Sequence, residues 1–265
     1  MSNIRRAIDK TLIKLHNYLM KILDRIKRSL LKLESHIFVT HSCISCRTEI
    51  LDGSTYQMCK NCLNALEKLE GTLCKRCGEP TNMISGYCGE CLSSLKFDNN
   101  FSFCYYNKVS AKIVKKLKYG HKKYIAKYIV KLICDSGYDF SNIDAITFVP
   151  VDSDRIIARG YNQAEEIARE LSKFTNIPLV DVLVKNKTEK HQTELSKAER
   201  LKSLSKSFSI NSDCNYDIKG KNILIVDDVY TTGTTLSSCA AAIKTKKPKR
   251  VFTITFAKTK LNSAK

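Results

Sequence analysis

At 265 residues, with 43% of them hydrophobic and 27% charged, the chain is sized for about two globular domains. No run approaches the roughly 18 apolar residues a membrane-spanning helix requires, which excludes an integral helical membrane protein. The formal net charge of +19 falls to about +15 once eight thiolates on two divalent ions are counted. A surplus of that size points to polyanionic partners or a phosphate-rich substrate, beside the plainer meaning of a solvated surface.

Residues 1–40 predict one long basic amphipathic helix. Apolar side chains recur every three or four residues at Ile4, Ile8, Leu12, Leu15, Leu19, Ile22, Ile26, Leu30, Leu33 and Ile37, and lysines and arginines cover the other face. Such a segment serves as a coiled-coil arm, a packed helix or a membrane-surface helix. Charges interrupt each of its apolar stretches and no small-residue cleavage site follows, so the chain reads as unprocessed and cytoplasmic.

Residues 41–95 predict a metal-stapled module. Cys43, Cys46, Cys59, Cys62, Cys74, Cys77, Cys88 and Cys91 form four CxxC pairs. Each pair turns two thiolates toward one point, and two pairs complete a tetrahedral site, so the eight suit two structural Zn²⁺ ions without an open position. Pairing of the first two knuckles and of the last two is the simplest arrangement, and crossed pairing stays open. Disulfides are disfavoured in a reducing compartment, and a redox motif does not need four copies. Cys104, Cys134, Cys214 and Cys239 stand apart and read as small buried hydrophobes.

Residues 96–265 carry the pattern of an α/β domain with a mostly parallel sheet. Basic helical patterning covers Val109 to Ile133. Between Lys108 and Lys131 there are nine lysines and no acid. Lys115, Lys116, Lys118, Tyr119, Lys122, Lys123 and Tyr124 combine cations with stacking rings, as a single-strand nucleic-acid groove does. The alternative is a helix pair with a core stripe of Ile113, Val114, Leu117, Ile125, Ile129 and Leu132 that leaves its lysines in solvent. Strand-like runs follow at Ala145 to Val151, Ile223 to Val226 and Val251 to Phe256, with helices between them, the alternation of a parallel sheet. After the first of these, VPVDSDRIIARGYNQ reads as a basic loop with Arg155, Arg159 and Gly160, leading into a helix near Asn162.

The stretch ILIVDDVYTTGTTL joins a buried strand, two acids, a hydroxyl-rich loop around Gly233 and a helix start. Helix N-termini at the carboxyl ends of parallel strands present free amides and a positive dipole to anions. Gly233 permits close backbone approach, and Thr231, Thr232, Thr234 and Thr235 add donors. The loop lacks the lysine and second glycine of a Walker motif, so it is sized for one monophosphate. Asp227 and Asp228 stand where carboxylates hold ribose hydroxyls or Mg²⁺.

This DDVYTTGTT stretch resembles the signature by which type I phosphoribosyltransferases bind 5-phosphoribosyl-1-pyrophosphate (PRPP). The resemblance implies ribose and metal contacts by Asp227 and Asp228, with Mg²⁺ accompanying PRPP, and substrate contacts across Val229, Tyr230, Thr231, Thr232, Gly233, Thr234 and Thr235. The pyrophosphate then belongs near Arg155, Arg159 and Gly160, which offer charge and donors. Asp152 and Asp154 are unexpected acids in that loop and stand as candidates to help hold Mg²⁺. With RGYNQAEEIA and the later QTELSKAER, the whole resembles the ComF family of competence proteins over about residues 43–257. That implies a mobile hood loop at Lys185 to Lys206, a role in uptake and handling of single-stranded DNA, and a helicase-type protein partner. Three functions follow as alternatives: a phosphoribosyl-transferring enzyme of unknown acceptor, a PRPP-sensing DNA-binding protein without turnover, and a nucleobase salvage enzyme.

Overall fold

Three of the strands described below carry near-continuous β-branched and aromatic runs, the pattern of strands buried on both faces. In the computed structural model, which describes residues 42–50, 56–88, 95–119, 122–186 and 207–260, four strands are parallel. They are β1 (Asn99–Tyr105), β2 (Ala145–Phe148), β5 (Asn222–Tyr230) and β6 (Arg250–Lys258), in the order β1-β6-β5-β2. A small antiparallel pair, β3 (Leu183–Lys185) with β4 (Phe208–Ile210), stands apart. The N-terminal helix expected over residues 1–40, Cys91 and the hood stretch beyond Asn186, with Lys187, Lys190, His191 and Arg200, lie outside the described residues.

The helices among the described residues are α1 (Lys60–Asn64), α2 (Lys108–Lys118), α3 (Ile125–Cys134), α4 (Ser153–Arg159), α5 (Gln163–Thr175) and α6 (Thr234–Lys244). The basic stretch of continuous helical patterning is two helices. The first starts at a capping box in which Asn107 accepts from the Ser110 amide and Ser110 accepts from the Asn107 amide. The core stripe predicted for these helices is present: Ile113, Val114, Leu117, Ile125, Ile129 and Leu132 are all buried. Residues 153–159, expected as loop, form α4, a helix with no buried residue that ends at Gly160 with φ 80°. Their pattern carries no apolar face, so periodicity does not reveal it.

The first and third zinc knuckles, at Cys43–Cys46 and Cys74–Cys77, are the same turn repeated. Cys43 N donates to Thr48 O at 2.8 Å, as Cys74 N does to Glu79 O at 2.7 Å. Arg47 N donates back to Cys43 O and Gly78 N to Cys74 O, with φ of 70° and 71° at those positions. Gly78 is needed twice over, because an added Cβ would sit 2.9 Å from Asn100 O on β1. The third knuckle therefore lies directly on β1: Asn100 Nδ2 donates to Cys77 O at 3.1 Å and Asn99 Nδ2 to Lys75 O at 2.6 Å. Lys68 bridges to Cys104 on the outer side of the same strand. This cover occupies a sheet edge that would otherwise present unpaired backbone groups.

Candidate functional site

Two neighbouring parallel strands, β2 and β5, end side by side and open into the two loops singled out from the sequence. Between them lies a cavity of about 330 Å³ lined by Lys118, Arg155, Arg159, Lys185, Asp227, Asp228 and Thr235, among others. Four cations and two acids around one such volume are suited to a ligand that carries phosphates and hydroxyls. Asn162 fixes the relation of β2 to the helix after it. Its side chain donates to Val149 O at 2.9 Å and accepts from Ala164 N at 3.0 Å, as an N-cap.

The acids at the end of β5 are coupled to each other. The Asp228 amide donates to Asp227 Oδ1 at 2.8 Å. Burial, and then the adjacent Asp228, push the Asp227 carboxyl up to about 8. Asp228 is 7% exposed and faces Lys118 Nζ at 2.8 Å. Lys118, a nucleic-acid candidate by its pattern, instead turns from the last turn of α2 into the cleft, because i and i+1 on a helix point to different faces. The two carboxylates are hard oxygen donors at the edge of the cleft, a set that fits Mg²⁺.

At the hydroxyl-rich loop, Gly233 is left-handed, with φ 75°, and caps α6 with no side-chain cap bond. Thr231, Thr232 and Thr235 are exposed, and Thr232 Oγ1 lies 2.7 Å from Thr234 Oγ1. Exposed hydroxyls thus stand at the start of an 11-residue helix, the end at which the helix dipole favours an anion. Tyr230, expected to touch substrate, is 3% exposed and packs beneath the loop rather than facing the cleft; Val229 is half-buried within β5.

On the opposite rim, Arg159 lies over the Tyr119 ring, 5.6 Å from its centroid, and donates to Gln163 Oε1 at 3.1 Å. Arg155 is more than half exposed and 3.7 Å from Asp152. Asp152, a candidate for Mg²⁺, is engaged instead by Lys185 Nζ at 2.8 Å, which holds its carboxyl below the usual range. That pair ties the end of β3 to the loop. Lys118 and Lys185 are cleft cations that the sequence does not mark as such, since both sit among many lysines and only tertiary packing selects them.

The thiols of Cys43, Cys46, Cys59 and Cys62 gather within 4.8 Å of one another, as do those of Cys74, Cys77 and Cys88. This is the sequential pairing of knuckles. Cys46 and Cys59 sulfurs are 3.7 Å apart, Cys77 and Cys88 sulfurs 3.5 Å. Ligands at about 2.3 Å around tetrahedral Zn²⁺ stand about 3.8 Å from each other, so the donor sets fit two zinc sites. Cys104 and Cys239 are buried, as expected of core residues, and Cys134 and Cys214 are half-buried.

The remaining nucleic-acid candidates divide. Lys115, Lys116 and Tyr119 border a groove with Arg47, Cys46 and Lys112, between α2 and the first knuckle. Lys116 Nζ donates to Ser45 O at 3.1 Å, and burial followed by Arg47 and Lys122 lowers its affinity for the proton. Lys123 pairs with Glu166 at 2.8 Å and lies over Tyr161, whose hydroxyl donates to Leu117 O. Tyr124 stays half exposed and packs edge-on with Tyr128. No helix among the described residues is long and apolar enough to cross a membrane.

Comparison with known proteins adds to this geometry. The family described as phosphoribosyl transferase domain matches residues 122–264, and that described as double zinc ribbon domain matches residues 35–92. Competence protein F of Haemophilus influenzae is 26% identical over 215 residues, 78% of this chain and 92% of its own length. Competence protein ComFC of Bacillus subtilis is 27% identical over 207 residues, covering 72% of this chain and 79% of that protein. The DNA utilization protein YhgH of Escherichia coli K12 is 25% identical over 208 residues, 75% of this chain and 88% of its own.

Proposed function

This chain belongs to the phosphoribosyl transferase family, with a double zinc ribbon ahead of that domain, and from that premise we propose that it binds PRPP in the cleft above β2 and β5 and transfers the phosphoribosyl group to an acceptor. The observation that carries the reading is the meeting of a monophosphate loop, an acidic pair and an arginine-bearing loop around one cavity. Thr231, Thr232, Gly233, Thr234 and Thr235 take the 5′-phosphate at the start of α6. Arg155, Arg159 and the backbone at Gly160 hold pyrophosphate. Asp227 and Asp228 hold the ribose hydroxyls and are the donors for Mg²⁺, which when bound neutralises charge on the leaving group.

In the transfer, the bond from ribose C1 to the pyrophosphate oxygen breaks and its electron pair leaves with pyrophosphate. The acceptor's nucleophilic atom forms the new bond to C1 and its proton passes to solvent. Positive charge gathers on the ribose ring in between, and the carboxylates below it lower the energy of that state.

A second reading, PRPP sensing by a DNA-binding protein without turnover, is favoured by one contact. The helix that carries Lys115 and Lys116 to the knuckle groove also puts Lys118 on Asp228. DNA contact and PRPP occupancy then share α2. The names of the relatives, competence and DNA utilization, support a role in handling DNA under either reading.

The test is calorimetric titration of the zinc-loaded chain with PRPP and Mg²⁺, with Asp227→Asn/Asp228→Asn as control, repeated with single-stranded DNA. Binding by wild type alone is expected, and absence of wild-type binding overturns both readings. Pyrophosphate release with a candidate acceptor separates transfer from sensing.

A further inference from the structure

Lys258 ends β6 with its side chain 0% exposed. An ammonium is costly to bury, and a pair of apolar residues would hold the same place at least as firmly. Two groups face it. Glu79 Oε2, from the third knuckle, is 3.2 Å from Nζ, and the centroid of the Tyr230 ring is 3.9 Å from it. Tyr230 and Lys258 are register partners on β5 and β6, so the lysine lies along its neighbour's ring.

The tyrosine leads on to the phosphate loop. A Cβ added at Gly233 would stand 2.7 Å from Tyr230 Cζ, so the ring lies hard against that glycine. Phe97 closes edge-on at 6.4 Å between centroids. At the other end, the Glu79 carbonyl accepts from the amide of Cys74, one of the gathered thiols. A continuous line of contacts therefore runs from the third knuckle through Glu79, Lys258 and Tyr230 to the residue that starts α6.

We propose that Glu79 and Lys258 are positioning residues for the 5′-phosphate loop: the second zinc ribbon holds Tyr230, and through it Gly233 and the N-terminus of α6, in the form that accepts phosphate. This rests on the reading of residues 231–235 as the phosphate site. The ribbon is thereby part of the catalytic domain's own active-site support. Loss of the charge pair frees the ring to shift by a fraction of its width, and the loop amides shift with it.

The experiment uses the full zinc-loaded chain as wild type, as Glu79→Gln, and as Glu79→Gln/Lys258→Met. The double variant removes both charges at similar volume, a change that buried pairs tolerate. Spectra of the ¹⁵N-glycine-labelled proteins are compared first, then each is titrated with ribose 5-phosphate and, separately, pyrophosphate. The Gly233 cross-peak is expected to move in both variants while those of Gly137 and Gly220 stay. Affinity for ribose 5-phosphate should fall about ten-fold and that for pyrophosphate by less than about two-fold. An unmoved Gly233, or equal weakening of both ligands in step with the unfolding temperature, overturns the proposal. Should wild type bind neither ligand, the phosphate reading fails, and the Gly233 cross-peak still decides whether the ribbon positions the loop.

Discussion

Asp227→Asn removes an ionisable carboxyl from the cleft while keeping an oxygen to accept from the Asp228 amide, as Oδ1 does now at 2.8 Å. In the folded chain burial and Asp228 push this carboxyl up to about 8, from an ordinary 3.8. The folded protein thus keeps a proton that the unfolded chain releases near pH 4. Stability is therefore highest below that pH and is lost as pH rises through about 8. With about 1.4 kcal/mol per pH unit for one proton, wild type should lose about 2 kcal/mol between pH 6 and pH 8 through this group. That is a sizeable part of the roughly 5–15 kcal/mol by which a domain is folded. The asparagine variant carries no such proton, so its advantage over wild type should widen by about 2 kcal/mol over the same range. Urea unfolding of zinc-loaded protein at several pH values from about 6 to 9 measures it, a window that avoids proton displacement of zinc from thiolates. Saturating Mg²⁺ should shrink the gap, because a cation lowers carboxyl pKa. A constant gap, or one that narrows with pH, refutes the electrostatic reading of the acidic pair.

Lys118→Met leaves Asp228 without its cation at 2.8 Å. It should destabilise the free protein by about 1–3 kcal/mol and raise its affinity for Mg²⁺, seen by calorimetry with the metal alone. Gly233→Ala puts a side chain on the Tyr230 ring at φ 75°, with an expected loss of about 1–3 kcal/mol by urea unfolding and weaker phosphate binding. Lys115→Glu/Lys116→Glu should weaken single-stranded DNA binding and reduce the slope of log affinity against log salt by about 1.4, about 0.7 for each phosphate that is no longer neutralised. A slope equal to that of wild type places the DNA elsewhere.

The features that carry chemistry in local spacing are open to reading in one dimension. A CxxC knuckle is a turn that brings its own two thiols together, and the hydroxyl-glycine loop is a strand end, a left-handed residue and a helix start in consecutive positions. The strand β1 is hidden from such a reading, because NNFSFCY opens on two asparagines that serve the third knuckle rather than an apolar core. Helix α4 is hidden too, since a helix lying on the surface needs no apolar face.

The pairing of knuckles, the choice of Lys118 and Lys185 among many lysines, and the burial of Tyr230 belong to another class of fact. Each depends on which distant segments meet. Asp152 shows the difference: as an acid in a basic loop its purpose is obscure, and it is explained only when Lys185, 33 residues on, arrives 2.8 Å away. Sequence alone determined the local motifs, the alternation of strands with helices and the metal chemistry of the ribbons, because those follow from neighbours along the chain. Only the tertiary structure decided which cations serve the cleft and that Glu79 reaches buried Lys258, because an ion pair is set by distance in space and by the water that packing removes.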